Sequence, residues 1–182
     1  ATQTPPATGP SAAPGAAGIG DPYFPQMGNG GYDALHYDLT LEVNPAAQQI
    51  AGLSLMQARA SQALSAFQLD FEQLTIDELL VDGLPAEYEH DGDQLLVTPA
   101  RPLPAGAEFN VQVRYRGRPS PSNDPAVLSG WFWTAGLGTV AAEPFGAQTW
   151  FPANDHPLDK ATYRLQVTVP RPLVVASNGL LV

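Results

Sequence analysis

The clearest pattern along the chain is an alternation with period two. Leu35, Tyr37, Leu39, Leu41 and Val43 alternate with His36, Asp38, Thr40 and Glu42. That spacing predicts a strand with one buried face and one wet face. Asn44-Pro45 ends it, a dipeptide that favours a turn. A second strand is predicted over 50–60, paired with the first as a hairpin. A third is predicted over 63–71, with Leu64, Ala66 and Gln68 on one face and Phe67, Leu69 and Phe71 on the other. Leu74, Ile76 and Leu79 then lead into Asp82-Gly83, a strong hairpin signal. Asp91-Gly92 predicts a second tight turn, between Glu87-Tyr88-Glu89 and 94–97. Phe109, Val111, Val113 and Tyr115 share one face of a later strand, and Tyr163, Leu165, Val167 and Val169 repeat the pattern.

About eight strands spaced roughly ten residues apart predict an all-β domain, either a β-sandwich or a mostly antiparallel saddle-shaped sheet. No segment keeps a helical period over three turns. Residues 61–72 come nearest, and their Phe-Leu-Phe alternation favours strand.

Composition narrows the partners. The chain has 182 residues, with 17 Gly and 19 Pro, which suits short strands joined by turns, and its length suits one domain. Its 8 Lys plus Arg against 18 Asp plus Glu give a net charge of −10. That argues against nucleic-acid binding driven by phosphate attraction, which needs a basic face. It also argues against adhesion to an anionic membrane surface. Cysteine is absent, so disulfides, thiolate metal sites and Cys nucleophiles are excluded. No membrane-spanning segment is predicted, because no run approaches the roughly 18 apolar residues required. Residues 1–20 hold six Ala, four Pro and four Gly and no charge. They are expected to form a flexible tether, with the folded domain over 21–182. The charge-free tether composition predicts an exported protein, periplasmic, cell-surface or secreted.

Nothing in the chain supplies a complete catalytic apparatus. Gly136-Leu-Gly138-Thr-Val-Ala141 formally matches a dinucleotide fingerprint. Trp131-Phe132-Trp133 precede it and Glu143-Pro144 follow it. A hairpin fits that context better than a strand-to-helix turn. His36, His90 and His156 lack the i, i+4 spacing of a zinc helix, and no G-x-S-x-G elbow exists. The stretch from Trp131 to Lys160 mixes aromatics and polar groups with Pro and Gly. It reads either as a binding surface or as a loop pinned by aromatic packing.

Four segments carry a family resemblance. They are Tyr32-Asp-Ala-Leu-His36-Tyr37-Asp38-Leu39; Leu69-Asp70-Phe71 with Leu74-Thr-Ile; Val113-Arg114-Tyr115-Arg116-Gly117; and Thr149-Trp150-Phe151-Pro152-Ala153-Asn154-Asp155-His156-Pro157 with Lys160-Ala161-Thr162-Tyr163. Val169-Pro170 and Ala176-Ser177-Asn178-Gly179 extend the last. In this order they resemble the N-terminal domain of the aminopeptidase N and leukotriene hydrolase family of zinc metallopeptidases (gluzincins). In that family the fourth segment reads W-F-P-x-x-D-x-P-x-x-K-A-x-F/Y.

The resemblance implies a saddle-shaped sheet domain lying over a catalytic domain of the same enzyme. It implies a bacterial aminopeptidase that removes residues from peptides with a free N-terminus. Zinc would be bound by that catalytic domain and not by this chain, which lacks G-x-M-E-N and H-E-x-x-H. The chain is therefore expected to be one segment of a longer enzyme, inactive alone, stopping inside a closing strand near Asn178-Gly179. Counting twelve residues back from Asp155 gives Glu143, the implied binder of the substrate's free N-terminus. A Gln common two positions earlier is Ala141 here. Phe145 is implied as a wall of the first side-chain pocket. Asp155, Pro157 and Lys160 are expected to hold the turn structurally. The alternative is a non-catalytic β-sandwich module for binding or scaffolding.

Overall fold

The computed structural model describes residues 11–25, 27–124 and 127–182. In chain order the strands are β1 (Ala13–Pro14), β2 (Tyr32–Asn44), β3 (Gln49–Ala60), β4 (Leu64–Asp70), β5 (Thr75–Val81) and β6 (Leu84–Pro85). They continue as β7 (Glu87–Asp91), β8 (Gln94–Thr98), β9 (Glu108–Gly117), β10 (Gly130–Thr134), β11 (Leu137–Ala141) and β12 (Thr162–Thr168). A 3₁₀ turn covers Ala147–Thr149. The chain is all-β, as its periodicity predicts.

Three sheets form among the described residues. The largest runs β12-β2-β3-β9-β5-β6, the second β1-β4-β8-β7, and the hairpin β10-β11 stands as a two-stranded third. Most pairs are antiparallel, but β1 with β4 and β12 with β2 are parallel. The two larger sheets close on one apolar core. At its centre the rings of Tyr32, Phe67 and Phe109 meet edge-on or tilted, with centroids 5.3–6.2 Å apart. Burying aromatic side chains of this size contributes about 2 kcal/mol or more apiece.

The predicted hairpin forms between β2 and β3, with Tyr37 opposite Met56 and Val43 opposite Ile50. One position departs from the simple alternation. Pairing slips between Ala34 and His36, so Leu35 is the extra residue of a bulge and is only half-buried. A bulge reverses the side-chain phase. Tyr32 and Ala34 are therefore buried before it, and Tyr37, Leu39, Leu41 and Val43 after it.

Asp82-Gly83 turns as predicted, both residues at positive φ, 49° and 75°, as a type I′ hairpin requires. The second tight turn is displaced by one residue. Asp91 pairs with Gln94, so the loop is Gly92-Asp93 rather than Asp91-Gly92. Gly92, at φ 62°, supplies the positive φ from the first loop position. Gly52 lies opposite Tyr115, and a Cβ there would sit 2.2 Å from the ring. Only glycine leaves room for that ring to lie across the strand.

The stretch expected to be a free tether is attached where it is described. Residues 1–10 lie outside the described residues. Beyond them the Ala13 amide donates to the Ala63 carbonyl at 3.0 Å, and the Gly15 amide to the Ala66 carbonyl at 2.9 Å. The Gly30 amide then donates to the Ala16 carbonyl at 2.8 Å. A Cβ on Gly15 would meet the Gly30 carbonyl oxygen at 2.4 Å. The small residues that suggested flexibility permit close backbone pairing instead. At the other end, residues 169–182 form no strand, and the closing strand expected there is not seen.

Candidate substrate-anchoring loop

The segment from Gly130 to Asp159 leaves the sandwich as a hairpin and returns as an irregular loop. Trp131 pairs with Val140 and Thr134 with Leu137. The two-residue turn Ala135-Gly136 has positive φ at both positions, 48° and 80°. This is the hairpin that the sequence context favoured over a dinucleotide motif. Trp131 and Trp133 stand 5.2 Å apart, Trp131 and Trp150 6.1 Å, and Trp150 and Phe151 4.4 Å. Phe151 then meets Tyr37 at 5.5 Å. The aromatics thus run without a break from the hairpin into the core. Of the two readings left open, aromatic pinning is what the geometry displays.

Glu143 is exposed and lies two residues beyond the end of β11. Phe145 is 3% exposed and meets Phe24 edge-on at 6.1 Å. The two sequence-derived candidates therefore differ, one at the surface and one packed beneath it.

The loop between them and Asp155 is held by polar groups. One Asp155 oxygen, Oδ2, accepts from the Gly146 amide at 2.8 Å and the Gln148 amide at 3.1 Å. Asp155 thus ties the turn by side chain to backbone, the role its motif predicts. Pro157 and Lys160 are exposed and take no part in that clamp. The Asp155 amide donates to Asp70 Oδ2 at 2.7 Å, and Gln94 Nε2 donates to Asp70 Oδ1 at 2.8 Å. Glu72, 2% exposed, accepts from Gln148 Nε2 at 2.7 Å and Ser122 Oγ at 2.9 Å. Thr149 Oγ1 donates to the Gly146 carbonyl and accepts from the Trp131 amide at 3.1 Å. A Cβ on Gly146 would lie 2.7 Å from the Gly130 amide nitrogen, and one on Gly130 would lie 2.7 Å from the Thr149 side chain.

Burial sets the electrostatics of this cluster. It pushes the Asp70 carboxyl up to about 7, against the opposing hydrogen bonds of the Asp155 amide and Gln94. It also raises Asp155, opposed by the loop amides and reinforced by the charge of Glu72. Asp159 rises to about 6 for the same reason. Desolvation favours the neutral acid, while amide donors favour the carboxylate. Asp70, Glu72, Gln148 and Thr149 were not among the sequence-derived candidates. Asp70 pairs with Asp155 and Glu72 with Gln148 across 85 and 76 residues, and no local period marks any of the four.

None of the three histidines joins another. His36 Nδ1 lies 2.7 Å from Thr162 Oγ1, His90 Nε2 lies 2.8 Å from the Phe71 carbonyl, and His156 Nε2 lies 3.1 Å from Asp21 Oδ2. Among the described residues no group of three or more His, Cys, Asp or Glu is placed to hold a metal ion.

Comparison with known proteins now defines the class. Residues 33–181 match the Peptidase M1 N-terminal domain, and the chain belongs to that family. It is 26% identical over 111 residues to the "Probable aminopeptidase 1" of Saccharolobus solfataricus, spanning 61% of this chain and 13% of that protein. The M1 zinc metallopeptidase from Deinococcus radiodurans superposes with a TM-score of 0.77 at 34% identity, covering 84% of this chain and 36% of the other. A variant of that metallopeptidase bound to a Tyr-Ser-Ala substrate gives the same TM-score at 32% identity. Yeast LTA4 hydrolase bound to bestatin matches at a TM-score of 0.61 and 22% identity, over 79% of this chain and 24% of the other, a likeness of fold. The chain thus spans about a third of the Deinococcus enzyme and about an eighth of the archaeal protein.

Proposed function

We propose that this chain is the N-terminal substrate-anchoring domain of a zinc-dependent aminopeptidase, and that Glu143 receives the free α-ammonium of the peptide. One observation carries the reading. An exposed carboxylate sits on a loop whose backbone is tied down from Gly146 to Asp155. A carboxylate facing an ammonium makes short, charge-assisted hydrogen bonds. Held rigidly, it measures the chain end, and an acylated terminus offers it no charge. Phe145 is assigned a supporting part, shaping the first side-chain pocket from beneath Glu143.

Zinc and the peptide-bond chemistry belong, on this reading, to the part of M1 enzymes that this chain does not span. The described residues do not form a zinc site, and no hydrolytic step is assigned to them. The implied partner is the catalytic domain of the same enzyme.

The test is to replace Glu143 by Ala and by Gln in the enzyme bearing this domain. On aminoacyl substrates kcat/KM should fall at least about thirtyfold for Glu143→Ala, equivalent to roughly 2 kcal/mol of lost contact. Glu143→Gln should recover part of that loss. An unchanged kcat/KM would remove Glu143 from substrate binding.

A further inference from the structure

The family match begins at residue 33, yet the residues before it grip the anchoring loop at three points. Asn29 and Asn154 exchange hydrogen bonds: the Asn29 amide donates to Asn154 Oδ1 at 2.6 Å, and Asn154 Nδ2 donates to the Asn29 carbonyl at 3.2 Å. Asp21 Oδ2 lies 3.1 Å from His156 Nε2, whose side chain is 2% exposed. The Phe24 ring packs edge-on against Phe145. Asn154 and His156 fall on positions that the W-F-P-x-x-D-x-P pattern leaves open, so the grip belongs to this sequence rather than to the motif. The strap is itself anchored through β1 on the second sheet, which makes it a tie between a fixed sheet and the loop.

We infer that the strap of residues 11–25 and 27–31 is a positioning element for the Glu143 loop, latched by Asp21 on His156, Asn29 on Asn154 and Phe24 on Phe145. This deepens the amine-anchor reading and rests on it. The strap holds the loop at Phe145, Asn154 and His156, while the carboxylates of Asp70 and Glu72 hold it at Asp155 and Gln148. Together they leave the loop few alternative backbone positions, and preorganisation of this kind preserves affinity for a bound group.

Asp21→Asn and Phe24→Ala test it, with Phe24→Tyr as the conservative rescue, because the half-buried Phe24 ring leaves room for a hydroxyl at its edge. The first readout is amide hydrogen exchange over 142–156 in this chain. Exchange there should rise about tenfold while β2, β3 and β9 stay unchanged, and Phe24→Tyr should restore protection. Unchanged exchange in the loop would overturn the inference. The second readout is kinetics in the enzyme bearing the domain, where KM should rise severalfold with kcat within about twofold. A loosened loop with unchanged KM, in an enzyme where Glu143→Ala does raise KM, would overturn the positioning role. A loosened loop in an enzyme indifferent to Glu143→Ala would overturn the amine-anchor reading instead.

Discussion

The β2–β3–β9 ladder and the loop from Ala142 to His156 lie against the same core, but opposite chemistry holds them. In the ladder the inward side chains are mostly apolar: Tyr37, Leu39, Met56, Phe109, Val111 and Val113 are nearly fully buried, with Ser54 buried among them. In the loop, Gln148, Thr149, Asn154 and His156 are buried polar residues, and the turn closes on a carboxylate. Apolar packing is non-directional and tolerates substitutions that conserve volume. A buried polar network requires each partner in place, because a deserted donor loses its hydrogen bond with no water to replace it. The ladder provides the stability, and the loop provides a defined position for one exposed carboxylate.

The largest expected effect breaks the ladder side. Phe109→Ala, on β9, opens the aromatic cluster with Tyr32 and Phe67 and should lower unfolding free energy by about 3–5 kcal/mol, read from urea denaturation. A cost below about 1 kcal/mol would mean that the two sheets do not rest on that cluster.

The next effect breaks the loop side. Asp155→Asn replaces the carboxylate that receives both amides with a neutral, weaker acceptor and puts an NH₂ group in place of the second oxygen. It should cost about 2 kcal/mol, with exchange at the Gly146 and Gln148 amides accelerating first. If the loss were spread evenly over β2 and β3, the loop would not be a separately held unit.

A third prediction sharpens the contrast through pH. Burial raises Asp70 from 3.8 to about 7 in the folded chain, so the folded state binds this proton more tightly than the unfolded one. Stability should therefore decline as pH rises between those values, by up to about 1 kcal/mol per pH unit. Asp70→Asn should flatten the profile in that window. A profile that rises with pH there would contradict the buried-acid account. The smallest effect is expected at Tyr115, whose buried hydroxyl finds no hydrogen-bond partner among the described residues. Tyr115→Phe should change stability by less than about 1 kcal/mol, in the stabilising direction if at all.

The same division decides what was legible in the sequence. Period-two alternation exposed the β2–β3 hairpin and the inward face of β9, and Asp82-Gly83 marked its own turn. Trp131-Phe132-Trp133 disclosed that the glycine motif was a hairpin. Alternation failed at Leu35, where a bulge shifts the phase without any residue announcing it. Composition, which suggested a tether over 1–20, did not disclose the close backbone pairing made at Ala13, Gly15 and Ala16. The loop was harder. Asp155 could be assigned a structural part from its motif, but Asp70 reaches it across 85 residues and Gln148 reaches Glu72 across 76. Contacts at that separation leave no periodic trace, and their meaning depends on burial that only the fold supplies.

On the proposed reading, a polar-held loop presents Glu143 to a free α-amine. A double-mutant cycle between Glu143 and the substrate's own amine tests it most directly. Inhibition constants would be measured for an amino-acid amide and its des-amino analogue, on the enzyme bearing this domain and on its Glu143→Ala variant. The account predicts a preference for the amine of at least about thirtyfold, or roughly 2 kcal/mol, that Glu143→Ala abolishes. An amine preference of equal size in both proteins would contradict it.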